Sequence, residues 1–145
     1  MKKLFILLTA VSLLSCSEED LGKGYYYLPA DEALDIGYPY GAIVYQSSAK
    51  NSYQNVLIYA DVVQCVSDSR YILAAQKPNK RLMEKYHGDQ NDSIFNNNTS
   101  LKSMFKNKLN YYLIDKERDT MYGPLSEKAL LKAKTEHGVE LTFDR

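Results

Sequence analysis

The stretch "YQNVLIYADVVQCV" (Tyr53 to Val66) constrains the fold more than any other part of this chain. It runs 14 residues without a glycine or proline and is rich in β-branched side chains. A strand with one wet face alternates apolar and polar residues. Here the even positions give Val56, Ile58, Ala60 and Val62, while the odd ones give Leu57, Tyr59, Asp61, Val63 and Cys65. Both faces must therefore be covered, which predicts a central strand, bulged or curved, rather than a bare edge. "SDSR" supplies turn residues and "YILAAQK" (Tyr71 to Lys77) returns, which makes an antiparallel hairpin. Pro78-Asn79 ends it.

The flanking segments add shorter elements. Tyr25, Tyr26 and Tyr27 start the folded part, and Pro29, Gly37, Pro39 and Gly41 punctuate the next segment. Asp31 to Leu34 suits a helical turn, and "AIVYQ" (Ala42 to Gln46) a strand. "KRLMEKYHG" suggests one or two helical turns, and "DQNDSIFNNN" an exposed loop. In "TSLKSMFKNKL", Leu101, Met104, Phe105 and Leu109 share one helical face, with Thr99 or Ser100 as N-cap. "YYLID" reads as a strand with Tyr111 and Leu113 on one side and Tyr112 and Ile114 on the other. "KERD" is a charged turn, "TMYG" returns, and Pro124 is expected to stop that strand. Ser126 is placed to cap a helix over "EKALLKAKTEHG", with Leu125 and Leu130 forming a hydrophobic staple and Gly138 closing the end. "VELTF" alternates like a last short strand. The sum is a single α+β domain: an antiparallel sheet of about five strands, packed by a C-terminal helix and a mid-chain helix.

The first residues carry an address. Lys2 and Lys3 precede Leu4 to Leu14, apolar apart from Thr9 and Ser12, and the small Ser15 lies just before Cys16. This is the order of a secretory signal. As a helix the apolar run would rise only about 16 Å, against a hydrocarbon core of about 30 Å. "LLSC" (Leu13 to Cys16) resembles the lipobox of bacterial lipoproteins. That resemblance implies cleavage between Ser15 and Cys16, a diacylglyceryl group on the Cys16 thiol, and an acyl chain such as palmitate on the new amino group. Several chains anchor stably where one is marginal. "SEED" (Ser17 to Asp20) looks like the acidic surface-export signal of Bacteroidetes lipoproteins. The expected organisation is a signal peptide over 1–15, an acidic flexible tether over 16–24, and the domain over 25–145. The expected location is the outer membrane, facing the cell surface, with the periplasm-facing leaflet as the alternative.

A second resemblance covers about a quarter of the chain. "YYLIDKERDTMYGPLSEKALLKAKTEHGV" (Tyr111 to Val139), with "DSRYILAAQK" (Asp68 to Lys77) before it, is similar to a pattern in small uncharacterised lipoproteins of the Bacteroidetes type. Such families are described as domains of unknown function, so the likeness implies architecture and no activity. "DSI" (Asp92 to Ile94) and "DTM" (Asp119 to Met121) resemble the O-glycosylation sequon of Bacteroidetes secreted proteins. This implies Ser93 and Thr120 as acceptors.

Composition narrows the function classes. Loss of residues 1–15 removes Lys2 and Lys3, leaving 16 basic against 18 acidic residues and a net charge of −2. That balance offers no footprint for nucleic acid. Cys65 is alone once Cys16 is acylated, so no intramolecular disulfide forms, and it reads as a small buried hydrophobe. His87 and His137 lack partners at zinc-ligand spacing, and "DQNDS" lacks the glycine and final glutamate of a calcium loop. No nucleophile-elbow or phosphate-loop motif occurs. Acid pairs such as Asp31-Glu32 and Glu117/Asp119 sit in turns, where solvation is the default. With 13 Tyr and no Trp, tyrosines either pack half-exposed strands or line a recognition surface. The expectation is a non-enzymatic binding or accessory module without catalytic residues, cofactor or metal, held to the membrane by its lipid and meeting a protein or glycan. The alternative is an inhibitor or immunity-type protein, and a small hydrolase stands behind both.

Overall fold

A computed structural model describes residues 18–35, 41–48, 55–59, 61–79, 81 and 105–143. Among them the chain forms two four-stranded antiparallel meanders. The first contains β1 (Glu19–Gly22), β2 (Tyr25–Leu28), β3 (Ile43–Gln46) and β4 (Asn55–Ile58), in that order. The second contains β5 (Val62–Ser67), β6 (Tyr71–Gln76), β7 (Asn110–Asp115) and β8 (Thr120–Leu125). Helix α1 (Ala30–Asp35) follows β2, and α2 (Glu127–His137) follows β8.

Alternation along the strands sorts the side chains into three apolar layers. Leu21, Tyr25, Val44 and Ile58 of the first sheet pack face to face with Val62, Ile72, Ala74, Tyr112 and Ile114 of the second. The outer face of the first sheet buries Tyr26, Leu28, Ile43 and Tyr45 with Ala33 of α1. The outer face of the second buries Tyr71, Leu73 and Leu113 beneath Leu130 of α2 and Val139. This is why every residue of β6 is buried and why "YILAA" is apolar without alternation: that strand has cover on both sides. The sides expected for Tyr111 to Ile114 hold, with Tyr112 and Ile114 in the inter-sheet core and Tyr111 and Leu113 under the helix.

The sequence expectation of an α+β domain with an antiparallel sheet is met, but eight strands in two sheets replace about five in one. The difference lies in the stretch read as one central strand. It divides into two strands, β4 ending at Ile58 in one sheet and β5 starting at Val62 in the other. Asp61, the polar residue among apolar ones, makes the corner. Its carboxylate accepts from Ala42 N at 3.1 Å, while its backbone exchanges bonds with Lys77 at 2.9 and 3.3 Å. Val62 N donates to Ala42 O at 3.0 Å. Both halves also carry register shifts. One lies between the pairs Val44↔Ile58 and Tyr45↔Val56, and so turns Val56 outward and Ile58 inward.

Other expectations need correction. Residues 16–24 do not form a flexible tether throughout, because Glu19–Gly22 is a strand paired with β2 and Leu21 is buried. The fold thus begins before Tyr25. Pro124 does not stop its strand: β8 runs to Leu125 with a register shift between Leu113↔Tyr122 and Tyr111↔Leu125. β8 is an edge strand, and an edge or bulge tolerates a missing N–H. Residues 139–143 form no strand; instead Leu141 and Phe143 pack beside Tyr111. The mid-chain helix expected around Leu101 and Met104 falls largely outside the described residues, and Phe105 to Leu109 form a turn and bends. The C-terminal helix is capped as its sequence implies. Ser126 Oγ accepts from Ala129 N at 3.3 Å, and Gly138 takes φ +64° while its N–H reaches the last turn.

Candidate functional site

Two meanders that continue into one another bring their hairpin turns to one end. The β1–β2, β5–β6 and β7–β8 turns meet there, together with the exit of β3 at Ser47. Gly24 permits the closest approach: a Cβ on it would lie 2.8 Å from Ser47 O, and Ser47 N donates to Gly24 O at 2.9 Å.

The two stretches "DSRY" and "DKERDT" build a charged cluster at this end. Arg70 donates from Nη2 to Asp115 Oδ2 at 2.9 Å and from Nε to Asp115 Oδ1 at 3.4 Å. Its guanidinium lies 4.9 Å from the centre of the Tyr71 ring. Asp115 is fully buried and also accepts from Glu117 N at 3.0 Å and Arg118 N at 3.3 Å. Asp68 accepts from the N–H of Arg70 and Tyr71 at 2.7 and 2.6 Å, which fixes the β5–β6 turn. Lys116 is buried, and its Nζ donates to Asp68 O at 2.6 Å and to Leu21 O. One ammonium thus clasps the two sheets. Asp119, at φ +50°, accepts from the Tyr25 hydroxyl and from Gln46 Nε2 at 2.8 Å, a second clasp.

Charge is set by these contacts. The Arg70 hydrogen bonds, helped by two backbone N–H groups, hold the Asp115 carboxyl down to about 2 although burial works the other way. Asp119 is lowered as well, first by the Tyr25 hydroxyl and then by Gln46. Burial lowers Lys116, which Asp68 partly offsets. The folded Asp115 binds its proton more weakly than an unfolded aspartate at about 3.9, so its stabilisation is complete above pH 5 and drains away towards pH 2. We therefore expect Asp115→Asn to cost about 2 kcal/mol at pH 7, a charge-assisted bond being worth 1.5–3. In thermal unfolding followed by circular dichroism, the gap between native and variant protein narrows from pH 5 to pH 2. A gap that stays constant over that range refutes the assignment.

Asp115 is the cluster's buried carboxylate, while Asp68 and Asp119 accept hydrogen bonds from neighbours and still face solvent. The solvent-facing rim carries Lys23, Asp68, Glu117, Arg118 and Asp119, with Arg70 half-exposed. Among the described residues, no group of three or more His, Cys, Asp or Glu is placed to hold a metal ion. The reading of Glu117/Asp119 as solvated turn acids holds for both, which are exposed, and Asp119 in addition ties the sheets together.

The other sequence-nominated residues scatter. Ser15, Cys16, His87 and Ser93 lie outside the described residues. Thr120 opens β8 half-buried, its hydroxyl donating to Arg118 O at 3.0 Å. His137 ends α2 against the Tyr122 ring at 4.7 Å, and its carbonyl accepts from Tyr71. Cys65 packs on the inter-sheet core, and burial pushes its thiol up to about 12. All nine described tyrosines are buried or half-buried, as tyrosines that pack half-exposed strands are.

Comparison with known proteins bears on this architecture. A profile described as "Protein of unknown function (DUF3997)" matches residues 26–145. The chain belongs to the DUF3997 family. Neither the curated proteins nor the solved structures compared with it give a match. The matched DUF3997 region opens inside β2, so β1 lies ahead of it while the residues it meets, Tyr26, Tyr27 and Lys116, lie within it. The clustered Arg70, Asp115, Lys116 and Asp119 all fall inside it.

Proposed function

We infer that this DUF3997 protein is a lipoprotein of the bacterial envelope, of the Bacteroidetes type, whose domain serves as a binding or accessory module rather than an enzyme. The observation that carries the reading is the apolar run Leu4 to Leu14 entering Leu13-Leu14-Ser15-Cys16 behind two lysines. The lipid on Cys16 is the anchor, placed on the outer membrane, with display at the cell surface favoured by Ser17 to Asp20. Among the described residues no helix is long and apolar enough to cross a membrane. The hairpin end supports a partner role, because its inner charges hold the fold together and its rim offers both signs of charge to another molecule.

The test is intact mass and fractionation of the protein made in its own cells. The mature chain is expected to start at Cys16, to exceed the polypeptide mass by diacylglyceryl plus acyl groups, and to remain with membranes. Cys16→Ala abolishes both properties. A native mass equal to polypeptide alone refutes the lipoprotein reading. The same spectrum reports hexose additions at Ser93 or Thr120, the proposed glycosylation acceptors.

A further inference from the structure

The anchor and the fold are separated by almost no chain. From Cys16 to Glu18 the backbone spans at most about 7 Å. Glu18 is itself fixed: it is buried, and its carboxylate accepts from the Tyr45 hydroxyl. Glu19 then pairs with Tyr27 and Asp20 with Tyr26. Next along β1, Leu21 is buried in the inter-sheet core and its carbonyl accepts from Lys116 of the other sheet. The strand that leaves the anchor is therefore locked into both sheets.

We propose that the mature protein sits directly on the lipid headgroups, with the β1-entry end of the sandwich against the bilayer and the hairpin end facing away. This orientation rests on the Cys16 anchor inferred above. A free tether over 16–24 would reach about 30 Å and let the domain tumble. Two links reach about the depth of a headgroup layer, since a bilayer of 40–45 Å holds a 30 Å core. Antiparallel pairing does the rest. β1 starts at the membrane end and runs away from it, so the turns around Lys23, Asp68 to Arg70, and Lys116 to Asp119 all lie at the far end. A six-residue strand separates the two ends by about 17–20 Å. The membrane end carries the corner at Asp61, Lys77 after β6, and Lys106 and Lys108 before β7. These three lysines are exposed, the chemistry that lipid phosphates accept, and Glu19, Asp31 and Glu127 are exposed acids at the same end. The partner surface of the anchored protein is then the rim of Lys23, Arg70, Glu117 and Arg118.

The experiment uses the full-length lipidated protein in vesicles of phosphatidylcholine and phosphatidylglycerol containing a headgroup-attached quencher. A fluorophore is placed on Lys77→Cys or on Ser48→Cys, with the unaltered protein as the control for Cys65. Flotation is scored first. Quenching at 77 is expected to exceed that at 48 at least about twofold, given an end-to-end separation near 20 Å. A Gly/Ser insert of roughly 15 residues after Ser17, with a root-mean-square reach near 20 Å, should bring the two positions together. Floated protein with equal quenching at both positions, or more at 48, overturns the orientation and leaves the anchor standing. Protein that does not float overturns both.

Discussion

A chain that begins at Tyr25 is expected to lose cooperative unfolding, whereas one that begins at Glu18 keeps it. The sequence invites the shorter chain, since the acidic residues before Tyr25 read as a tether and the family profile starts at Tyr26. The structure makes this the costlier choice. Removing β1 strips the outer partner of β2 and exposes the core face where Leu21 is 3% exposed. Burying a leucine contributes about 1.5–3 kcal/mol. The Tyr45 hydroxyl loses the Glu18 carboxylate at a buried site, costing about 1–3 kcal/mol. Lys116 loses one of the two carbonyls that hold its ammonium in the interior. Together these approach about 5 kcal/mol, the lower end of the stability of a whole domain. Urea unfolding of the two chains is the check. Matching midpoints would show that β1 rests on the surface without supporting it. Leu21→Ala in the longer chain gives a milder measure, with an expected loss of about 2–4 kcal/mol.

The same residues show what could be read in advance. Periodicity identified β3, β6, β7 and α2, because each has a strong apolar pattern and α2 also has Ser126 and Gly138 at its ends. β1 stayed hidden because "EDLG" has one apolar side chain, and a four-residue edge strand needs only one buried position. The second sheet stayed hidden for a different reason. A strand covered on both faces and a strand that crosses between two sheets give the same apolar run; Asp61 was the one mark of the corner. The charged cluster was visible as motifs but not as a cluster. "DSRY" and "DKERDT" lie more than 40 residues apart, and only the register Tyr71↔Asp115 sets Arg70 beside Asp115. No local rule distinguishes a turn aspartate that meets only solvent from one, like Asp119, that also takes the hydroxyl of Tyr25 across the sandwich.

At the end of the core where β1 enters, Gln76→Leu is expected to lower the melting temperature by roughly 10–20 °C, at about 3–6 °C per kcal/mol for a domain of this size. The side chain is fully buried at the end of β6. Its Oε1 accepts from Asn110 Nδ2 at 3.0 Å and from the Tyr112 hydroxyl at 3.2 Å, and its Nε2 donates to Tyr59 O at 2.7 Å. The last bond ties the exit of β4 in one sheet to β6 in the other. Gln76 thus closes this end of the inter-sheet core as Lys116 closes the other. Leucine fills nearly the same volume but deprives the buried Asn110 amide and Tyr112 hydroxyl of their bonds to Gln76, at about 1–3 kcal/mol each, and takes a donor from the half-buried Tyr59 carbonyl. Packing and bonding separate in the double variant. Tyr112→Phe removes the hydroxyl that Gln76→Leu deprives of its acceptor, so added to Gln76→Leu it should cost less than it does alone, a coupling of about 1 kcal/mol. Additive costs would show that the three side chains act independently. A Gln76→Leu protein as stable as the native one would show that this end needs volume alone, and that Asp61 and its bonds to Ala42 suffice to hold the corner between the sheets.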